Sequence, residues 1–240
     1  MKKDIIIVGG SGLLGSSICK ELKFKGYNVI NLDLKKNINL EYNFKSDVND
    51  FKKFNLQINK IFKKFKNIAG AVVVYYPKRT KTKKFINQNI DNIVLNIENH
   101  IRGYLNTNQI LCKNFLKQKK GHIINFSSMY GSKLPINEIY KKTEIQETPL
   151  DYILSKSIIN KFTKYMSKEF KKNNIRFNLI SPGGIYDNHS KKFVKNYTRF
   201  THSNNMLDPI CIAKLTEFLL NENSKFISSQ NIVIDDGFSI

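Results

Sequence analysis

The sequence predicts an α/β fold: a doubly wound parallel sheet of about seven strands, in order 3-2-1-4-5-6-7, with helices on both faces. Three observations carry that prediction. Short apolar runs recur along the chain as unbroken strings, the pattern of strands buried on both faces rather than one. Stretches with helical spacing separate them, and alternating strands and helices imply right-handed crossovers in a parallel sheet. No repeat, Pro/Gly-rich linker or break in composition divides the 240 residues, so a single domain spanning 1–240 accounts for the chain.

Each element follows from local pattern. Residues 4–8 (DIIIV) form a short apolar run that ends in glycines, and residues 13–24 then place Leu14, Ile18 and Leu22 on one helical face. A second run over 27–32 ends at Asp33, and residues 43–46 lead to Asp47 and Val48, where a third strand should end. Residues 54–65 are amphipathic, and residues 68–75 again read as a buried strand. Residues 122–126, 175–180 and 232–234 are further β-rich runs, and residues 153–170 have helical spacing. Two segments read as surface loops at the carboxyl ends of strands, where open parallel sheets bind ligands: the basic run 78–84 and the long, polar, poorly periodic stretch 183–208. The second is long enough to serve as a substrate lid.

Composition removes several classes of function. With 41% hydrophobic and 12% aromatic residues the chain can build a core, so disorder is excluded as its main state. No run approaches the roughly 20 apolar residues of a membrane helix. The opening MKKDIIIVGG lacks the apolar stretch and small-residue cleavage site of a secretory leader, so a cytoplasmic location without membrane attachment is expected. Cys19, Cys112 and Cys211 are odd in number and far apart, which predicts neither a disulfide framework nor a metal site. The net charge of +21 invites a nucleic-acid reading, yet only four of the 40 basic residues are Arg, whose planar fork recognises phosphates and bases best. Lysines spread along the whole chain describe a solvated basic surface with salt-sensitive, nonspecific attraction to polyanions, not a specific nucleic-acid partner.

The chemistry begins at Gly9, Gly10, Ser11, Gly12, Leu13, Leu14 and Gly15, between the first strand and the first helix. Glycines there let the backbone turn sharply and come close to a pyrophosphate, while the helix N-terminus offers free N–H groups and partial positive charge. Asp33 ends the second strand 18 residues after Gly15. A carboxylate at that place can accept both hydroxyls of an adenosine ribose and repels a 2′-phosphate, so NAD is favoured over NADP. Asp47, with Val48, stands where it can receive the adenine amino group; a plain turn aspartate is the alternative.

Tyr152 and Lys156 lie four residues apart at the start of a helix, hence one turn apart on one face. An ammonium beside a phenol favours the phenolate and brings a group with a reference pKa near ~10 closer to the pH at which it exchanges protons. Upstream, Asn125, Phe126, Ser127 and Ser128 close an apolar strand, which delivers the Ser128 hydroxyl to the strand's carboxyl end, where it can hydrogen-bond a reacting oxygen.

Taken in order, these residues resemble the short-chain dehydrogenase/reductases, in the compact single-domain branch of that family with its Rossmann-type sheet. The resemblance runs from the glycine turn through Asp33, Asp47, Val48, residues 122–128, Tyr152, Lys156 and residues 175–184 (IRFNLISPGG) to residues 231–237 (NIVIDDG). It implies catalytic serine, tyrosine and lysine roles for Ser128, Tyr152 and Lys156. It also implies that Lys156 holds the nicotinamide ribose, that Pro182, Gly183 and Ile185 flank the nicotinamide, and that the protein is a homodimer or homotetramer. The segments GSGLLG, Tyr76-Pro77, SSMYG, SPGGI and DDGFS further resemble oxidoreductases of bacterial flagellin-modification and legionaminic-acid-type sugar pathways, as does the interval of 24 residues from Ser128 to Tyr152, long for the family.

The sequence also departs from the family pattern. The glycines at 9, 12 and 15 follow the spacing of the extended branch, and Val73, Val74, Tyr75 and Tyr76 stand where an Asn-Asn-Ala-Gly motif belongs. The family's fourth catalytic residue falls at Asn99 or His100. The expected activity is NAD-dependent interconversion of a secondary alcohol and a carbonyl, on a sugar or sugar-like small molecule. The rival readings are a catalytically degenerate scaffold used as a binding or assembly protein, and an epimerase or dehydratase that recycles bound NAD.

Overall fold

A computed structural model describes residues 3–36, 39–77 and 85–240, so the basic run 78–84 lies outside the described residues. Seven strands form one parallel sheet: β1 (Asp4–Val8), β2 (Asn28–Asp33), β3 (Tyr42–Lys45), β4 (Ile68–Val73), β5 (Gly121–Phe126), β6 (Ile175–Pro182) and β7 (Asn231–Ile234). Their order is β3-β2-β1-β4-β5-β6-β7, the order that the sequence predicts. Six α-helices accompany them among the described residues: α1 (Leu13–Phe24), α2 (Phe51–Lys64), α3 (Ile90–Gln118), α4 (Leu150–Glu169), α5 (Lys191–Thr198) and α6 (Pro209–Leu220).

The unbroken apolar runs are explained by two cores, one on each face of the sheet. Ile6, Val8, Leu32, Val73, Ile123 and Phe177 point toward α2, α3 and α4. Ile5, Ile7, Val29, Val72, Ile124 and Ile180 point toward α1 and α6. A period of two along each strand thus feeds both layers, which is why apolar residues follow one another without alternation. Helix ends follow capping chemistry. The Asn89 side chain accepts the Asp91 N–H at 2.7 Å to start α3, and Asp208 accepts that of Ile210 before Pro209 opens α6.

A third cluster lies above the carboxyl ends of β5 and β6. The segment between β5 and α4 forms two short 3-10 turns, Met129–Gly131 and Asn137–Tyr140. Met129, Tyr130 and Ile139 from it pack with Phe193 and Tyr197 of α5 and with Phe238 near the C-terminus. The stretch 183–208, read from sequence as a polar and poorly periodic loop, therefore contains a helix. At eight residues α5 is shorter than the window over which periodicity shows, and its apolar face consists of two aromatics four residues apart. Its base is closed by pairing of Ile185 with Leu207. Of the three cysteines, Cys19 and Cys112 are buried, Cys211 is exposed, and all three are free thiols.

Candidate active site

The glycine turn is built for close backbone approach. Gly9 has φ +98°, and a Cβ there would sit 2.5 Å from the Tyr75 backbone; a Cβ on Gly15 would sit 2.0 Å from the Gly9 carbonyl oxygen. Side chains are therefore excluded by both conformation and space. Gly12 is the N-cap of α1 and supplies no side-chain cap, so the amides of Leu13, Leu14 and Gly15 in the first turn face outward with no intrahelical acceptor. Asp33 closes the other side: its Oδ2 accepts the Ser11 N–H at 2.9 Å and its Oδ1 accepts the Lys35 N–H at 3.0 Å. Each oxygen keeps a second lone pair for a ligand hydroxyl. These features fit a dinucleotide: a tight turn that only glycines can make, a row of amides for phosphate, and a carboxylate for a ribose.

The sequence reading missed the residue that fixes this turn. Asn31, fully buried in β2, accepts the Gly10 N–H at 2.9 Å through Oδ1 and donates from Nδ2 to Ser11 Oγ and Asn43 Oδ1. The available signal was a polar side chain inside an apolar strand, which must find partners or cost stability. Asp47 is exposed, and its Oδ1 accepts the Asn49 N–H at 2.9 Å, while half-buried Val48 packs on the core beside Gly103.

The second half of the site gathers at the carboxyl ends of β4 and β5. Tyr152 is in the first turn of α4, and Lys156 Nζ lies 5.7 Å from its ring centroid. Lys156 itself is buried and donates to the Phe126 carbonyl at 3.3 Å, so the amine is anchored to the last residue of β5. Ser127 Oγ donates to the Lys156 carbonyl at 2.8 Å, which fixes α4 against that strand end. Ser128 follows at once; its Oγ accepts the Tyr130 N–H at 3.2 Å and opens the first 3-10 turn, which packs on α4. Ser128, Tyr152 and Lys156 thus share one end of the sheet. Burial pushes the Lys156 amine down to about 7.

Tyr75 and Tyr76, the last two residues of the stretch that replaces the Asn-Asn-Ala-Gly motif, are structural parts of this half. The Tyr75 hydroxyl donates to the His100 carbonyl at 2.8 Å and ties β4 to α3, which comes close because Gly103 has no Cβ to meet that hydroxyl. The Tyr76 ring lies 5.6 Å from the Tyr152 ring, 5.6 Å from Lys156 Nζ and 5.1 Å from the His100 ring. On α3 it is His100, 2% exposed, that faces the site, while Asn99, one step round the helix, is half-buried. Burial first, and Lys156 second, hold the His100 imidazole well below its ordinary pKa. Farther along the sheet, Asn125 of β5 exchanges hydrogen bonds with Asn108 of α3 and donates to Thr163 of α4, locking both helices onto one strand.

Pro182 ends β6, and Gly183 donates its N–H to the Ile234 carbonyl at 2.8 Å. Added Cβ atoms on Gly183 and Gly184 would meet Asp235 and Tyr197, and the Gly184 N–H donates to the Tyr197 hydroxyl. The turn that carries Pro182, Gly183 and Ile185 is thereby fastened to α5.

Comparison with known proteins identifies the family. A family model described as Enoyl-(Acyl carrier protein) reductase matches residues 14–239. The chain belongs to the short-chain dehydrogenase/reductase family. Among members of that family it is 32% identical, over 99% of its own length and 98% of the relative's, to Post-translational flagellin modification protein A of Campylobacter coli. A short-chain dehydrogenase of Leptospira borgpetersenii with bound NAD+ superposes with a TM-score of 0.89 at 26% identity, covering 100% of this chain and 94% of that one. The short-chain fold is shared equally by ElxO with NADP bound, at TM-score 0.84, 22% identity and 99% coverage of both chains. Each of these two solved structures holds a nicotinamide dinucleotide. No helix among the described residues is long and apolar enough to cross a membrane.

Proposed function

We propose that the protein is an NAD-dependent oxidoreductase that interconverts a secondary alcohol and a carbonyl on a sugar or sugar-like substrate. The observation that carries this reading is the buried Lys156 amine, 5.7 Å from the Tyr152 ring and anchored to the strand end from which Ser128 emerges. In the oxidative direction the Ser128 hydroxyl donates a hydrogen bond to the substrate oxygen and orients it. Tyr152, as phenolate, takes the hydroxyl proton, and the Lys156 ammonium favours that phenolate electrostatically. NAD, when bound, supplies the hydride acceptor. Gly9, Ser11, Gly12, Leu13, Leu14 and Gly15 would hold its pyrophosphate, Asp33 its adenosine ribose, Asp47 and Val48 its adenine, Lys156 its second ribose, and Pro182, Gly183 and Ile185 its nicotinamide. NAD rather than NADP follows from Asp33, because a carboxylate beside a 2′-phosphate is repulsive.

Support for a sugar substrate comes from the flagellin-modification relative and from the polar residues of 183–208, which serves here as the lid. His189, Asn196 and Arg199 lie on that segment. Exposed Leu154 and Ile158 on α4 support assembly as a homodimer or homotetramer, and three free thiols support a reducing cytoplasm. The test is to add NAD and a panel of polyols and nucleotide-linked sugars to the purified protein and follow reduced nicotinamide by absorbance. Turnover that is lost in Tyr152→Phe supports the reading. Tight NAD binding without turnover on any alcohol, or turnover unchanged in Tyr152→Phe, contradicts it.

A further inference from the structure

The lysines are spread along the chain, but the carboxylates are not. Residues 51–90 and 99–137 contain none of the 19 acidic residues. These segments carry α2 and most of α3, which pack side by side: Asn55 Nδ2 donates to Asn106 Oδ1 at 3.0 Å, and Asn114 Nδ2 to Asn59 Oδ1 at 2.8 Å. Among the described residues, the ion pairs of these two helices are Lys53 with Asp50 at 2.9 Å and Arg102 with Glu98 at 2.8 Å, both made with carboxylates just outside the acid-free segments. Lys60, Lys63, Lys66 and Lys117 are exposed and pair with no described carboxylate. Near α6, by contrast, Lys3 pairs with Glu222 at 3.2 Å.

Those four lysines line a groove of about 590 Å³ between α2 and α3, together with the apolar side chains of Leu56 and Phe62. A second groove, of about 450 Å³, follows the other side of α2 toward β3, and Leu56 and Lys60 line both. Leu56 is 54% exposed, an apolar ridge among cations. Gln118, also in the first groove, accepts the Ile68 N–H at 3.0 Å where β4 begins. The surface therefore lies toward the amino ends of the strands, away from Ser128 and Tyr152. Cations in the last turns of α2 and α3 complement the helix dipoles, which accounts for Lys63 and Lys117. It does not account for Lys60 a turn earlier, for Leu56 left in water, or for the absence of every carboxylate.

We propose that the α2–α3 face is a docking surface for an acidic amphipathic helix of a partner protein. The partner's apolar stripe seats against Leu56 and Phe62, and its carboxylates meet Lys60, Lys63, Lys66 and Lys117. Charge complementarity selects the sign of the partner and speeds encounter, while the apolar lining fixes its register. A phosphate backbone would use the charge and leave that lining in water. Arg102, the one arginine of α2 and α3, is already committed to Glu98, so the planar fork that suits nucleic acid is not on offer. A flat bilayer does not follow a groove between two helices. Because the surface faces away from the carboxyl ends of β4 and β5, a partner held there leaves the crevice open to cofactor and substrate.

The test uses the full chain and two fluorescent peptides of one composition, rich in Glu, Leu and Ala. In the first, leucines recur at i, i+3, i+4 and i+7; in the second the same residues are scrambled. Binding is followed by anisotropy at about 0.1 M salt, where diffuse attraction is screened. The amphipathic peptide is expected to bind about 10-fold tighter than the scrambled one. The double variant Lys63→Gln/Lys117→Gln should weaken it by about 10-fold, and Leu56→Ser should erase its advantage over the scrambled peptide. The pair Lys171→Gln/Lys172→Gln, exposed and outside the groove, should change nothing. Equal affinity for both peptides, equal loss in the two lysine pairs, or no binding of the amphipathic peptide overturns the proposal. So does tighter, Lys63- and Lys117-dependent binding of a DNA duplex or of phosphatidylglycerol vesicles, which would assign the surface to another class of partner. No outcome depends on turnover, so failure to oxidise any alcohol counts against the oxidoreductase reading alone.

Discussion

The two halves of the site are built on opposite physical terms. At the glycine turn the groups on offer are main-chain amides and one partly exposed carboxylate, and glycine is required because side chains would collide with the Tyr75 backbone and the Gly9 carbonyl. At the β4–β5 end the groups are side chains, nearly all buried, enclosed by the rings of Tyr75, Tyr76, Tyr104 and Tyr152. The first half is the proposed seat of the dinucleotide; the second sets protonation states, because burial moves the Lys156 amine toward neutrality and holds His100 uncharged. Binding and proton transfer are thus separable, and mutations should divide accordingly.

The largest effect is expected in the second half. Tyr152→Phe removes the proton-transferring hydroxyl and little else, so turnover should fall by roughly 10²–10⁴-fold while the NAD dissociation constant stays within a factor of about three. Parallel steady-state kinetics and NAD titration would check this, and an equal loss in both would erase the division. In the first half, Asp33→Ser should leave the maximal rate intact and reduce the NAD:NADP preference by about 10- to 100-fold, read as a ratio of kcat/KM values.

Lys156 also makes a stability prediction. Its folded pKa is depressed, so between about 7 and the unfolded value of 10.5 the unfolded chain binds more protons, and stability rises with pH across that window. Below pH 7 the burial penalty is present in full. Lys156→Met should therefore abolish activity yet stabilise the protein at pH 7 by about 1–4 kcal/mol, a gain that shrinks toward pH 10.5, as measured by urea unfolding at several pH values. The smallest effect tests the aromatic cluster beside the second half: Tyr197→Phe deletes the acceptor of the Gly184 N–H and should cost about 1 kcal/mol, with a modest rise in KM for the alcohol.

How much of this was legible in the sequence follows the same division. The sheet order and the unit from Gly9 to Asp33 are local: an apolar run, glycines at three-residue spacing and a carboxylate after the next run suffice. Tyr152 and Lys156 are also local, being one helical turn apart. The cluster that gives them their environment is not. Tyr76, His100 and Lys156 come from three elements, and only the packing of α3 and α4 on β5 through Asn108, Asn125 and Thr163 brings them together. A helix register decides between Asn99 and His100, and the sequence offers Gly103 alone as an anchor. The helix α5 was hidden for a different reason: its apolar face is completed by the inserted segment and by Phe238, neither adjacent in sequence.

One co-crystal structure with NAD bears most directly on the whole account. It should show the adenosine ribose hydroxyls on the Asp33 carboxylate and the nicotinamide C4 facing a niche bounded by the Ser128 and Tyr152 hydroxyls, with Lys156 Nζ at the adjacent ribose. A dinucleotide bound elsewhere, or one seated with its nicotinamide away from Tyr152, would contradict it.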